Sequence, residues 1–285
     1  MNWRAISTLG VAALLAVLTE AVAATAGAPP PNRVVSLNLC SDELLLQLAD
    51  RGTVASISFL ATDPSLSSVA PLTVGLPVNR GRLEEIVALH PDLVLAHRYA
   101  ARSTTDALRR LGYRVVEIDS PQTLDAVRQQ ILEVAAALGV PERGHAMVAS
   151  LDARLAALPP IVEPRPTAAI YQPNGYAFGR DSLADKILDL AGFANLAARD
   201  GVRGYARLSL EQLVVHPPDR LVLEGDDFDR RSMAQQFLSH PALKDRFPAQ
   251  ARIEVPRRLW LCAGLNVATA AELLARARVA EQRRP

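Results

Sequence analysis

A helix-breaking Pro-Asp pair occurs twice in closely similar surroundings, and it limits what this chain can fold into more than any other feature. The first copy reads Leu83-Glu84-Glu85-Ile86-Val87-Ala88-Leu89-His90-Pro91-Asp92-Leu93-Val94-Leu95-Ala96, and the second Leu210-Glu211-Gln212-Leu213-Val214-Val215-His216-Pro217-Pro218-Asp219-Arg220-Leu221-Val222-Leu223. Aligned without a gap, five of the fourteen positions are identical. Each copy reads as a short helix, a break, and an apolar run short enough for a buried strand. Proline disfavours helical backbone at the residue before it, so the helix stops there. Two such units, far apart in 285 residues, predict two similar α/β lobes.

The segments around each copy extend this reading. Residues 34–37 form an expected strand, followed by a helix over 42–49 with Ser41 as N-cap and Asp42 and Glu43 at its positive end. Short strands are expected at 54–57, 72–74, 93–96 and 115–118, with a helix over 105–111. The alternation predicts a mainly parallel sheet flanked by helices over 32–122. Residues 123–160 carry apolar side chains at helical spacing and predict a stiff helical connection. A second lobe over 165–285 opens with a strand at 167–171 and the polar, aromatic loop 172–180. Ser182 with Asp185, Ser209 with Gln212 and Thr269 with Glu272 read as helix caps, and residues 252–255 as a late strand.

The net charge of +1 gives no reason to expect a nucleic-acid partner. Residues 1–26 read as a cleaved export signal: Arg4, an apolar stretch too short for a membrane span, Glu20, then small residues. No cysteine adjoins the cleavage region, so no lipid anchor is indicated, and the periplasm is the expected location. Cys40 and Cys262 are the only cysteines. In an oxidising compartment they either bridge or remain two small, partly buried thiols, and both alternatives stand open.

No nucleophile elbow, phosphate-binding glycine loop or HExxH pattern occurs, and the five histidines are scattered. No catalytic residue and no metal site is therefore assigned. What the strand exits supply is arginine and aromatic rings, suited to anions and flat ligand faces. Candidate ligand contacts are Asn38, Arg80, His97, Arg98, Tyr99, Tyr171, Tyr176, Arg180, Tyr205 and Trp260. Any one of these arginines alone reads as solvated surface; their collective placement near strand ends carries the expectation.

The chain resembles the helical-backbone periplasmic binding proteins of ABC importers for iron-siderophores, haem and vitamin B12. The resemblance rests on Arg33-Val34-Val35-Ser36-Leu37 with Asp42-Glu43-Leu44-Leu45, on residues 83–96, on Asp181-Ser182-Leu183 with Leu190-Ala191-Gly192-Phe193, and on Leu259-Trp260-Leu261-Cys262-Ala263-Gly264. It implies two Rossmann-like lobes joined by a long interdomain helix, with a ligand groove between them. It also implies a monomer without a cofactor that docks, through Glu84 and Glu211, on a permease dimer in the inner membrane. Several groove arginines and one mature-chain tryptophan make an anionic ferric siderophore the expected ligand, with vitamin B12 or haem as alternatives. The competing class is an exported α/β enzyme, which would need a nucleophile, a base and an orienting group converging at the strand ends.

Overall fold

The computed structural model describes residues 29–225 and 241–282; the leader reading at 1–26 lies outside them. In the N-terminal lobe the elements run β1 Val34–Ser36, α1 Leu39–Leu48, β2 Val54–Ser58, β3 Val78–Asn79, α2 Leu83–Ala88, β4 Leu93–His97, α3 Arg102–Arg110 and β5 Val115–Ile118. All pairings are parallel, in the order β3-β2-β1-β4-β5. The order reverses between β1 and β4, which opens a crevice at their carboxyl ends, where open α/β sheets bind ligands. Asn38 and His97 stand at those two strand exits.

Two local expectations are corrected here. Residues 70–73 form a short 3-10 turn in place of a strand, with Pro71 in its first turn and Gly75 at φ +78° after it. The strand follows at Val78–Asn79. Helix α1 starts at Leu39, capped by Asn38, whose Oδ1 accepts the Cys40 N–H at 2.9 Å, so Ser41 is not the cap. Asp42 and Glu43 lie inside this helix and are buried, 0% and 1% exposed.

The connection is two packed helices, α4 Leu124–Ala137 and α5 Pro141–Ala156, where a single long helix was expected. Gly139 at φ +75° and Pro141 at the start of α5 break the run. The helices approach closely: a Cβ on Gly144 would lie 2.5 Å from that of Ala135. Arg128 on α4 reaches Asp152 on α5 at 2.8 Å.

The C-terminal lobe comprises β6 Thr167–Gln172, β7 Tyr176–Phe178, α6 Leu183–Leu190, β8 Ala194–Asn195, β9 Tyr205–Arg207, α7 Leu210–Val215, β10 Arg220–Gly225, β11 Arg252–Pro256, α8 Arg258–Leu261 and α9 Leu265–Gln282. Its sheet runs β11-β10-β6-β7-β9, with β8 beside the start of β6. Strands β11, β10 and β6 are parallel, whereas β7 and β9 pair antiparallel as a ribbon. Thr269 and Glu272 lie inside α9 and do not cap it; both bind Arg154 of α5 at 2.8–2.9 Å.

One buried core runs through both lobes. Leu44, Leu45 and Leu95 from the first lobe, Ile131, Val134 and Leu151 from the connection, and Ile170, Val222, Val255 and Leu274 from the second belong to a single apolar cluster. Each lobe also has a separate core on its other sheet face, around Val35, Ile86 and Val94 in one and Tyr171, Leu208 and Leu213 in the other. Arg278, 1% exposed, donates to the carbonyls of Ala191, Pro159 and Pro160, which ties the end of α6 to the chain leaving α5. A continuous, close-packed interior of this kind resists relative movement of the lobes.

A candidate ligand groove between the lobes

The exits of β1, β4 and β5 on one lobe face β7, α6 and α8 on the other across a cavity of about 260 Å³. From the first lobe it is lined by Asn38, Cys40, His97, Asp119, Ser120 and Gln122; from the second by Phe178, Ser182, Leu259, Trp260 and Cys262. A second cavity of about 410 Å³ adjoins it, sharing Gln122 and Ser182 and adding Arg128, Arg180 and Lys186. The two make one continuous groove. Cys40 and Cys262 are joined in a disulfide, Cα–Cα 5.1 Å, that forms part of the first cavity's wall.

The polar groups of the first cavity are held in place by the strand ends. His97 Nδ1 accepts the Tyr99 N–H at 3.3 Å, which leaves the proton on Nε2, 3.1 Å from Ser120 Oγ. Burial holds this imidazole below its ordinary pKa, with the nearby Asp119 carboxylate pulling the other way. Asp119 is itself ion-paired to Arg98 at 3.0 Å. Gln130 of α4 lines the same cavity and takes the Asp119 N–H at 3.0 Å. Among the described residues, no arginine or lysine lines this cavity.

Beside the groove, two carboxylates are buried with no ion pair to a cation among the described residues. Asp42 accepts from the Ser58 N–H at 3.0 Å and from the Ser58 hydroxyl, and burial raises its pKa to about 6. Glu43 accepts from the Ser68 N–H at 2.9 Å and from Asn266 Nδ2 at 2.8 Å, and burial raises its pKa to about 7. The Asn266 contact joins α1 of one lobe to α9 of the other.

Of the residues expected from sequence, the first cavity gathers Asn38, His97 and Trp260, together with both cysteines. Arg180 lines the adjoining cavity. Tyr176 and Tyr205 stack at 4.9 Å on the β7–β9 ribbon, Phe178 lies 4.9 Å from Tyr205, and Arg207 sits 5.8 Å over Tyr176. These rings continue outward from Phe178 and form an aromatic rim. Tyr99 is exposed, with Arg102 at 5.6 Å from its ring centre. Arg80 lies over Phe59 at 5.1 Å, outside the cavity lining, and Arg98 is turned to Asp119. Tyr171 is corrected: it has no exposed surface and packs in the second lobe's separate core, away from the groove. Sequence reasoning missed Phe178, Ser120, Gln122 and Gln130. The first stands in the aromatic loop already singled out and the next two follow β5, whereas Gln130 sits mid-helix and carries no signal.

Glu84 and Glu211 occupy equivalent first turns of α2 and α7 and are exposed. No group of three or more His, Cys, Asp or Glu able to hold a metal ion occurs among the described residues. None of their helices is long and apolar enough to cross a membrane.

Residues 34–251 match the profile of a family described as periplasmic binding protein. A cobalamin-binding protein of Halobacterium salinarum is 28% identical over 217 residues, covering 74% of this chain and 58% of that relative. The chain thus spans less than two thirds of that protein's length. A vitamin B12-binding protein of Salmonella typhi is 25% identical over 198 residues, 68% of this chain and 72% of the relative. Among solved structures, the apo form of a periplasmic heme-binding protein from Roseiflexus sp. RS-1 superposes at a TM-score of 0.70 with 27% identity, covering 86% of this chain and 97% of that one.

Proposed function

Since this chain belongs to the periplasmic binding protein family, we propose that it is the extracytoplasmic capture component of an ABC importer and that its ligand is a corrinoid. The observation that carries the choice of ligand is the lining of the first cavity. It holds amides (Asn38, Gln122, Gln130), hydroxyls (Ser120, Ser182) and apolar surface (Phe178, Leu259, Trp260). Among the described residues its one carboxylate is that of Asp119, and burial holds the His97 imidazole below its ordinary pKa. A corrin ring is an apolar macrocycle edged with neutral amides, which such a lining matches. An anionic ferric siderophore or the propionates of haem would find no guanidinium among the described residues lining this cavity, where the Asp119 carboxylate is already paired with Arg98; the cations of the groove line the adjoining cavity. Of the arginines that favoured an anionic chelate from sequence, Arg180 lines the adjoining cavity, while Arg80 and Arg98 are not among the residues lining the first. The cobalamin-binding relatives support the same reading.

Binding in this scheme uses the rings of Phe178 and Trp260 against the macrocycle and the amides for orientation. The loaded protein, a monomer outside the cytoplasm, then presents Glu84 and Glu211 to arginines of a permease dimer in the inner membrane. A calorimetric titration with cyanocobalamin, haem and a ferric hydroxamate tests the reading. The expected result is stoichiometric binding with cyanocobalamin tightest; tighter binding of the hydroxamate or of haem overturns the corrinoid and restores an anionic chelate.

A further inference from the structure

The disulfide joins the lobes within the groove. Cys40 lies in the first turn of α1 in one lobe, and Cys262 directly follows α8 in the other, 222 residues away in sequence. Both face the cavity, Cys40 partly exposed and Cys262 5% exposed. One turn further along α1, Glu43 accepts from Asn266 Nδ2, and the same amide donates to the Cys262 carbonyl at 3.2 Å. A covalent link and a carboxylate–amide link are therefore stacked on one helix face and share Asn266.

We propose that the Cys40–Cys262 disulfide is a redox-addressed clasp: oxidised, it fixes the width of the cavity floor and retains the ligand; reduced by an exported dithiol, it frees the floor and speeds release. The placement supports this in two ways. A link between lobes at the ligand's own wall restricts the one distance that ligand exit must change. A disulfide facing a cavity is also open to a small or flexible thiolate without unfolding. A thiolate of the dithiol attacks Cys40 Sγ, the more exposed sulfur, and expels the Cys262 thiolate, which takes up a proton. The reductant's second thiolate then attacks the mixed disulfide and releases Cys40. Two electrons pass to the protein sulfurs, and the reductant leaves as its own disulfide.

The test treats the folded full-length protein with dithiothreitol and follows three readouts: alkylation of thiols without denaturant, hydrogen exchange in residues 39–45 and 259–268, and the release rate of cyanocobalamin. Both thiols should become alkylated while far-ultraviolet circular dichroism is unchanged. Exchange in the two segments should speed up about tenfold, and cyanocobalamin release by about tenfold as well. A Cys40→Ser/Cys262→Ser variant should match the reduced protein; if it does not fold, native reduction decides the matter. A disulfide that yields only on unfolding overturns the clasp, and so does a reduced protein whose exchange and release are unchanged. Hydrogen exchange needs no ligand, so failure of cyanocobalamin to bind either form sinks the corrinoid reading and leaves the clasp to be judged on exchange.

Discussion

The two copies of the repeated unit do the same structural work in lobes that otherwise differ. In the first, Asp92 of the Pro-Asp turn accepts from the Asn32 and Arg33 N–H groups at 2.6 and 2.9 Å, pinning the start of β4 to the start of β1. In the second, Asp219 accepts from the N–H and hydroxyl of Thr167, both at 2.7 Å, pinning β10 to the start of β6. Proline ends the helix, and aspartate sets the register of the strand that follows. Beyond this shared frame the lobes part. The first completes a parallel sheet whose strand exits supply polar groups to the groove; the second turns back in an antiparallel ribbon that supplies aromatic rings. What is common thus builds the scaffold, and what differs lines the groove.

The ribbon is where the comparison breaks hardest. A Cβ on Gly179 would lie 2.0 Å from the Val202 carbonyl oxygen. Backbone stands in the way, so Gly179→Ala should cost about 3 kcal/mol, the upper end for overpacking. In the first lobe, Gly112 at φ +86° has nothing within 4 Å of such a Cβ, and Gly112→Ala should cost only about 1 kcal/mol through its backbone conformation. Urea denaturation of both variants reads the difference; equal costs would mean the ribbon can shift away from Val202.

Buried acid is the next asymmetry. Asp42 and Glu43 have raised pKa values in the fold, from 3.8 and 4.5 to about 6 and about 7, because burial disfavours their charge. The folded state then holds protons that the unfolded chain releases, so this contribution is fully present below the unfolded values. It is lost as pH climbs through the folded ones. For Glu43 alone the loss between pH 4 and pH 8 is on the order of 3 kcal/mol. Glu43→Gln should flatten the pH dependence of stability relative to wild type over that window. Glu224, the buried acid of the second lobe, is also raised by burial, but Arg257 offsets part of it, so Glu224→Gln should flatten the curve less. A larger flattening from Glu224→Gln would reverse the comparison.

The two aspartate staples sharpen it. Each accepts two hydrogen bonds through an exposed side chain, so Asp92→Ala and Asp219→Ala should each lower stability by about 1–2 kcal/mol. Similar values in thermal melts support equivalent roles; an effect confined to one lobe would make the repeat a resemblance without a shared function.

Legibility from sequence followed the same division. The repeat, its helices and strands, the first lobe's parallel sheet apart from β3, and the parallel half of the second lobe's sheet could be read because proline breaks and apolar runs are local signals. The β7–β9 ribbon could not, since its pairing depends on Gly179 and Val202 meeting across a loop. The partner of Arg98 was hidden for a related reason: sequence places Arg98 at a strand exit, but only the fold shows Asp119 taking its charge. Tyr171 was misplaced because strand alternation decides which face a side chain takes, and the sheet's two faces are both covered. The burial of Asp42 and Glu43 could not be read either, because their partners Ser58, Ser68 and Asn266 are distant in sequence.

The smallest expected effect on the isolated protein belongs to the most symmetric pair. Glu84 stands in the first turn of α2, beside Glu85, whose carboxylate takes the Arg80 N–H at 2.9 Å. Glu211 stands in the first turn of α7, whose Ser209 cap and Gln212 complete a capping box. In both lobes a neighbour stabilises the helix start and the named glutamate is exposed. The Glu211 carboxylate is itself held below its ordinary pKa by its own backbone N–H and by Ser209, so its substitution should lower stability slightly, that of Glu84 less, and both should leave cyanocobalamin affinity unchanged. What a permease would meet is a carboxylate at the same place on each of two similar lobes, suited to two arginine patches related by dimer symmetry. Glu84→Ala and Glu211→Ala should each reduce docking on the reconstituted permease, the double variant further, and reversal to lysine more than alanine because it sets like charges face to face. Unequal single effects would show that the lobes dock asymmetrically despite the shared unit. Weaker cyanocobalamin binding with normal docking would instead assign these glutamates to the groove.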